Sequence, residues 1–167
     1  ALGAQTVTQL SFLLRPKSAV LETEEPLKAT LQIDSPSLDF SYQLEIDVGV
    51  TAPTSNHRQT FRSAMDLSTQ YYGVVPPSEE ASQSGHGVVL SLHGASVEAM
   101  NQANSYRSKP WGYIVAPTNR RPFGFDWQSW GRLDALESLA DAKTRYGIDP
   151  TRVYLTGHSM GGHGTWH

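Results

Sequence analysis

Gly157-His158-Ser159-Met160-Gly161 follows directly on the apolar run Val153-Tyr154-Leu155-Thr156, and this junction constrains the chain more than any other stretch. A glycine two positions before and two positions after a serine suits a sharp strand-to-helix turn. Strand and helix crowd together there and leave no room for side chains. The five-residue pattern also arises by chance, so its weight comes from context: a buried-strand run before it and the helix-compatible GHGTWH after it. On such a turn the Ser159 hydroxyl stands clear of its own backbone, where a nucleophile must stand. The first N–H groups of the following helix are left free to meet an oxyanion. The competing reading is a glycine-rich connection with a structural serine.

The sequence before the turn supplies the rest of an α/β unit. Gly87 to Gly94, GVVLSLHG, is a near-continuous apolar run of the kind buried on both faces of a parallel sheet. A helix is expected over Val97–Ser108 and a strand over Tyr113–Ala116. A second helix is expected over Trp127–Tyr146, with Leu133, Leu136, Leu139, Ala140 and the Lys143 stem on one stripe at spacings of three and four, a stripe that this stretch of chain covers only in part. Gly147 suits the C′ position, Asp149-Pro150 a turn, and Arg152–Thr156 the strand that enters Gly157. His57–Met65 and Ser68–Pro77 read as a hairpin joined at Asp66-Leu67, leading into the polar loop 78–87. This order predicts the N-terminal part of a doubly wound α/β sheet over 56–167, with its site beyond the strands' carboxyl ends, where His93-Gly94 and the Ser159 turn fall. Residues 1–55 alternate as strands over Val7–Leu14, Leu27–Asp34 and Tyr42–Val50, separated by turn-forming residues. They are expected to form a small β-rich, sandwich-like accessory region.

Composition narrows the partners. The 167 residues carry a net charge of -3 with acids and bases interspersed, without the basic stripe that nucleic acid demands, so no nucleic-acid partner is expected. No apolar run approaches the roughly 20 residues of a membrane helix. With no cysteine in the sequence, disulfides and thiolate zinc sites drop out, and no cofactor is expected. The chain starts at Ala1 without a methionine or signal-type segment. This is read as a secreted or periplasmic protein already processed, or as a start inside a longer one.

LSLHGA and IDPTRVYLTGHSMGGHGTW resemble the α/β-hydrolase superfamily. The likeness is greatest to the branch holding prolyl-oligopeptidase-type peptidases and polyhydroxybutyrate-depolymerase- and feruloyl-type esterases. Asp149, Pro150, Arg152, Val153, Tyr154, Thr156, Gly157, Ser159, Met160, Gly161 and Gly162 carry the resemblance, which covers about residues 57–167. It implies Ser159 as nucleophile and the backbone N–H groups of Met160 and Ala95 as the oxyanion hole. His93, Gly94, Gly157 and Gly161 would support that loop and turn. It further implies a triad in the chain order serine, acid, histidine. Only eight residues follow Ser159, so the acid and histidine are expected from downstream sequence, and the 167 residues alone are expected to be almost inert.

The histidines and acids within the chain have milder readings. His158 sits beside the serine and points away from it. His163 and His167 share one helix face at a spacing that also suits a metal pair, but the motif holds no adjacent carboxylate and no metal is expected. His93 is read as a structural hydrogen-bonding residue, and His57 and His86 as loop or strand-edge residues. Asp126 is expected to cap the helix starting at Trp127, and Asp149 to make a turn. Trp111, Phe123, Phe125, Trp127 and Trp130 are read as packing, with Phe123 to Trp127 placed where they could also wall a pocket. The expected activity is hydrolysis of a small or polymeric ester by a serine hydrolase. A prolyl-oligopeptidase-type peptidase is the near alternative, and a non-catalytic binding module on a hydrolase-like scaffold the alternative from another class.

Overall fold

The computed structural model describes residues 25–167 except 36, 38, 81–84 and 121–123. The strand expected over Val7–Leu14, Phe123 and part of the polar loop after Pro77 lie outside the described residues. The described chain forms two compact units, one ending at Ala52 and one running from Pro53 to His167.

The first unit is an antiparallel hairpin of β1 (Leu27–Ser35) and β2 (Phe40–Val48). Its register pairs Leu27 with Val48, Ala29 with Ile46, Leu31 with Leu44 and Ile33 with Tyr42. Because side chains alternate along a strand, this pairing gathers the apolar residues on one face and Lys28, Thr30, Gln32 and their partners Asp47, Glu45 and Gln43 on the other.

The second unit is a five-stranded sheet with three helices. In chain order its elements are β3 (His57–Arg62), β4 (Thr69–Val75), β5 (His86–Leu92), α1 (Ala99–Asn104) and β6 (Gly112–Pro117). They continue with α2 (Ser129–Tyr146), β7 (Ile148–Gly157) and α3 (Met160–Gly164). The spatial order is β3-β4-β6-β5-β7, with β3 and β4 antiparallel and β5, β6 and β7 mutually parallel. From β5 the chain steps through α1 to β6 on one side, then crosses back through α2 to β7 on the other. Right-handed crossovers in opposite directions put the two helices on opposite faces. The pleat divides the core accordingly. Val88, Leu90, Leu92 and Val115 pack with Trp127, Ala135 and Ala142 on the α2 face, and Ile114, Ala116 and Val75 pack with Ala103 on the α1 face. The carboxyl ends of β5 and β7 lie side by side, Leu92 opposite Gly157.

Two expectations about helices change. Helix α1 is shorter than Val97–Ser108. Helix α2 starts at Ser129, and its leucine stripe is only partly covered: Leu139 packs against the core, Leu133 and Leu136 are 46% and 50% exposed, and Gly131, Asp134, Ala135, Ser138 and Ala142 are buried. Small side chains let the helix backbone lie close to the sheet, and that close approach outweighs the larger apolar area the leucines offer. The C-terminal expectation holds, with Gly147 at φ +58°, ψ +47° and its N–H donating to the Lys143 carbonyl. At the start of β7 the pairing jumps from His86–Ile148 to Val88–Val153. The slack is taken up where the Asp149 carboxylate accepts the Thr151 N–H at 2.9 Å and its hydroxyl at 2.7 Å.

Candidate active site

Strand β7 ends in a turn that its own residues make tight. The His158 N–H donates to the Leu92 carbonyl at 3.1 Å, tying the turn to β5, and the Gly161 N–H closes it on the His158 carbonyl at 2.8 Å. At its apex Ser159 takes φ +52°, ψ -117°, a backbone conformation that costs a non-glycine residue on the order of 1–3 kcal/mol. Such a cost persists only where the surroundings enforce it, and here they do. A Cβ on Gly157 would run into the Gly161 carbonyl, and one on Gly161 into the Leu92 carbonyl oxygen. Gly162 is different, since a Cβ there would meet nothing nearer than 3.4 Å. Ser159 is exposed.

The loop after β5 comes up against this turn. A Cβ on Gly94 would sit 3.4 Å from the Ser159 Cβ and 3.2 Å from the His158 Nδ1. The loop closes through the Val97 N–H on the Gly94 carbonyl at 3.3 Å, with Ser96 at φ +62° and Ala95 exposed. Neither the Ala95 nor the Met160 N–H has an acceptor among the described residues.

His93 and Trp127 hold the loop from below. The buried His93 ring lies with Nδ1 2.9 Å from the Gly94 carbonyl and Nε2 3.1 Å from the Thr118 carbonyl, spanning the ends of β5 and β6. Trp127, 1% exposed, packs edge-on against that ring at 4.9 Å and donates its indole N–H to the His93 carbonyl at 3.0 Å. A Cβ on Gly164 would come within 2.6 Å of Trp127, so this glycine lets the indole lie against α3. One tryptophan thus touches both the loop bearing Ala95 and the helix that follows Ser159.

Asp126 does not cap α2. Gln128 occupies that position without a side-chain cap, while Asp126, at φ +56°, turns to α3, where its Oδ2 lies 2.9 Å from His163 Nδ1. Burying Trp127 pulls the chain through positive φ at 126, 127 and 129, which delays the helix and carries the carboxylate away from its N-terminus. His167 packs edge-on to His163 at 4.8 Å, and one ligand-type atom from each of Asp126, His163 and His167 falls within 4.8 Å of the others.

The other sequence candidates are scattered. The His57 ring meets the Ser55 carbonyl at 2.8 Å and the Tyr146 hydroxyl at 3.3 Å, and His86 meets the Glu79 carbonyl at 3.0 Å. Of the described aromatic candidates only Trp127 is fully buried. Phe125 is 77% exposed, Trp130 lies 5.5 Å from the Arg120 guanidinium, and Trp111 packs near Arg152 and Tyr154. Among the described residues no histidine is hydrogen-bonded to the Ser159 hydroxyl.

Sequence reasoning missed a buried charge network behind the site. Arg120, 2% exposed, donates to Ser63 Oγ at 2.8 Å and pairs with Asp66 at 2.9 Å. Asp134 and Glu137 lie at 3.9 and 4.0 Å. Asp134 accepts the Thr118 N–H and hydroxyl, both at 3.1 Å, linking α2 to the end of β6. Burial pushes the Asp134 carboxyl above the usual range against the pull of Thr118 and Arg120, whereas hydrogen bonds from Ser68 hold Asp66 below it. No local signal marks this network, since an arginine in a polar loop reads as solvated.

No family model matches the chain. It is similar to the multifunctional-autoprocessing repeats-in-toxin protein of Vibrio cholerae serotype O1, 33% identical over 105 residues that make up 56% of this chain and 2% of that protein. A protein of the same description from Vibrio vulnificus is 30% identical over 118 residues, 64% of this chain and again 2% of the relative. Among solved structures the chain is similar to a thermostable esterase, with a TM-score of 0.51 and 20% identity, over 75% of this chain and 40% of that one. The likeness is one of fold: a mixed sheet of parallel β5, β6 and β7 with the antiparallel β3–β4 pair at one edge and helices packed on it, with the small β1–β2 hairpin earlier in the chain.

Proposed function

We propose that the chain is part of a serine hydrolase that cleaves a carboxylic ester or related acyl bond. The observation that carries the reading is the backbone of Ser159, at φ +52° and ψ -117°, on a turn whose flanking glycines admit no side chain. A fold that maintains such a conformation and leaves the hydroxyl exposed fits a nucleophile better than a structural serine. The N–H groups of Met160, next to Ser159, and of Ala95, next to the Gly94 that approaches it, have no acceptor among the described residues and would receive the oxyanion, each such donor being worth about 10²–10³ in turnover at such sites.

In this mechanism Ser159 Oγ attacks the carbonyl carbon while a histidine takes its proton. The tetrahedral oxyanion rests on the two N–H groups, and collapse expels the alcohol, which regains the proton. Water then repeats the cycle on the acyl-enzyme. The histidine and its acid partner are contributed from outside the 167 residues, a proposal supported by the 40% of the thermostable esterase that this chain spans. The likeness to an esterase supports ester over peptide substrates.

A fluorophosphonate probe tests the reading on the protein as the cell produces it. Adduct on the peptide containing Ser159, lost in Ser159→Ala, is expected, together with hydrolysis of short aryl esters. A folded protein that takes up no probe at Ser159 would refute it, and cleavage of peptide amides in preference to esters would move the activity to the peptidase alternative.

A further inference from the structure

We propose that Asp126, His163 and His167 form a binding site for one divalent transition-metal ion of the zinc class. Helix α3 ends at Gly164, and the turn that follows, closed by the His167 N–H on the Gly164 carbonyl at 3.3 Å, brings the His167 ring edge-on to His163 at 4.8 Å, so two imidazoles meet at one place. What such a pair lacks is a third ligand, and the fold supplies it from a distant segment, bringing the Asp126 carboxylate to 2.9 Å from His163 Nδ1. The three ligand-type atoms lie within 4.8 Å of one another. Bonds of about 2.0–2.1 Å to each require ligand atoms about 3.3 Å apart. Closing that gap takes only a rotamer adjustment, which the exposed His163 and His167 side chains are free to make.

The donor set selects the ion. Two imidazole nitrogens and one carboxylate favour Zn²⁺, Co²⁺, Ni²⁺ or Cu²⁺ over the oxygen-seeking Mg²⁺ and Ca²⁺. Three protein ligands at a solvent-facing position leave room for water in the remaining coordination places. The other histidines are differently placed: His57, His86 and His93 rings are engaged by backbone carbonyls, and His158 lies against Gly94. The bound ion would fasten the segment carrying Asp126 and Trp127 to the helix that follows Ser159, tightening contacts the fold already makes.

The test uses protein without an affinity tag, stripped with chelator and titrated with Co²⁺ while its visible absorption is followed. One Co²⁺ per chain, displaced by Zn²⁺, with micromolar affinity and a rise in melting temperature, is expected. His163→Gln and His167→Gln should each weaken binding by at least about tenfold, the scale on which even outer-shell partners of a metal act. Asp126→Asn should weaken it too, and His57→Gln should leave it unchanged. Circular dichroism checks folding, and His167→Gln, at an exposed position, carries the test should His163→Gln not fold. Absence of binding at millimolar Co²⁺, or variants that bind as tightly as the parent, would overturn the proposal.

Discussion

Replacing Trp127 with phenylalanine separates what the indole does from what any large apolar ring would do there. Phenylalanine keeps a ring near His93 but loses the N–H that donates to the His93 carbonyl at 3.0 Å. At 1% exposure no water replaces the lost donor, so leaving that acceptor dry costs about 1–3 kcal/mol. The space vacated by the smaller ring adds on the order of 1 kcal/mol. The sum, about 2–4 kcal/mol, is a large share of the 5–15 kcal/mol that typically holds a domain together. Trp130→Phe is the control, since Trp130 is 42% exposed and a phenylalanine ring keeps a face for the Arg120 guanidinium that lies 5.5 Å from it, so the change should cost below about 1 kcal/mol. Urea denaturation should show the Trp127 variant with a lower midpoint and an unchanged slope. If Trp127 also positions the loop bearing Ala95, fluorophosphonate labelling of the folded variant should slow several-fold while the Trp130 variant labels normally. Midpoints for the two variants that agree within error would refute the assignment of Trp127 as the residue joining the Ala95 loop to α3.

The glycines of the turn make a paired prediction. Gly161→Ala drives a Cβ into the Leu92 carbonyl and should cost more than about 2 kcal/mol with loss of probe labelling, whereas Gly162→Ala, with only ordinary contact at 3.4 Å and a gain in helix propensity, should stay within about 1 kcal/mol of the parent in the same denaturation assay. Arg120→Ala strips the buried Asp134 carboxylate of its nearest cation and should cost about 3–5 kcal/mol at pH 7. Because burial already raises the Asp134 pKa in the folded state, protonation favours the fold, and stability from this group is full below the unfolded pKa and lost as pH rises through the folded one. The deficit of Arg120→Ala against the parent should therefore shrink between pH 7 and pH 4, and a deficit that grows instead would show that Asp134 is not the group left uncompensated.

What could be read in advance and what could not divide along a physical line. Gly157, Ser159 and Gly161 were legible because their constraint is steric and lies within five residues, and Gly147 because a helix end has its own local chemistry. Strands β5 and β6 were legible because burial on both faces leaves an apolar run that needs no partner to be recognised. Their order in the sheet was not, since no residue on β5 says whether β6 or β7 will lie beside it. The errors came where a local rule met a distant partner. Asp126 has the residue type of a helix cap, yet the pull of Trp127 toward His93 and Gly164 sets the loop, and the carboxylate goes to His163 instead. Leu133, Leu136 and Leu139 share one stripe, yet only Leu139 packs on the core, and helix α2 approaches the sheet through Gly131, Ala135, Ser138 and Ala142, because a helix lying close over a sheet is limited by the height of its side chains before it is rewarded for their area. Arg120 is the extreme case. Its burial depends on Ser63 and Asp66 from the β3–β4 hairpin and on Asp134 and Glu137 from α2 arriving together, so a single segment carries no trace of it. Asp126, His163 and His167 belong with Arg120 in this respect, since their grouping exists only after folding has brought two segments together.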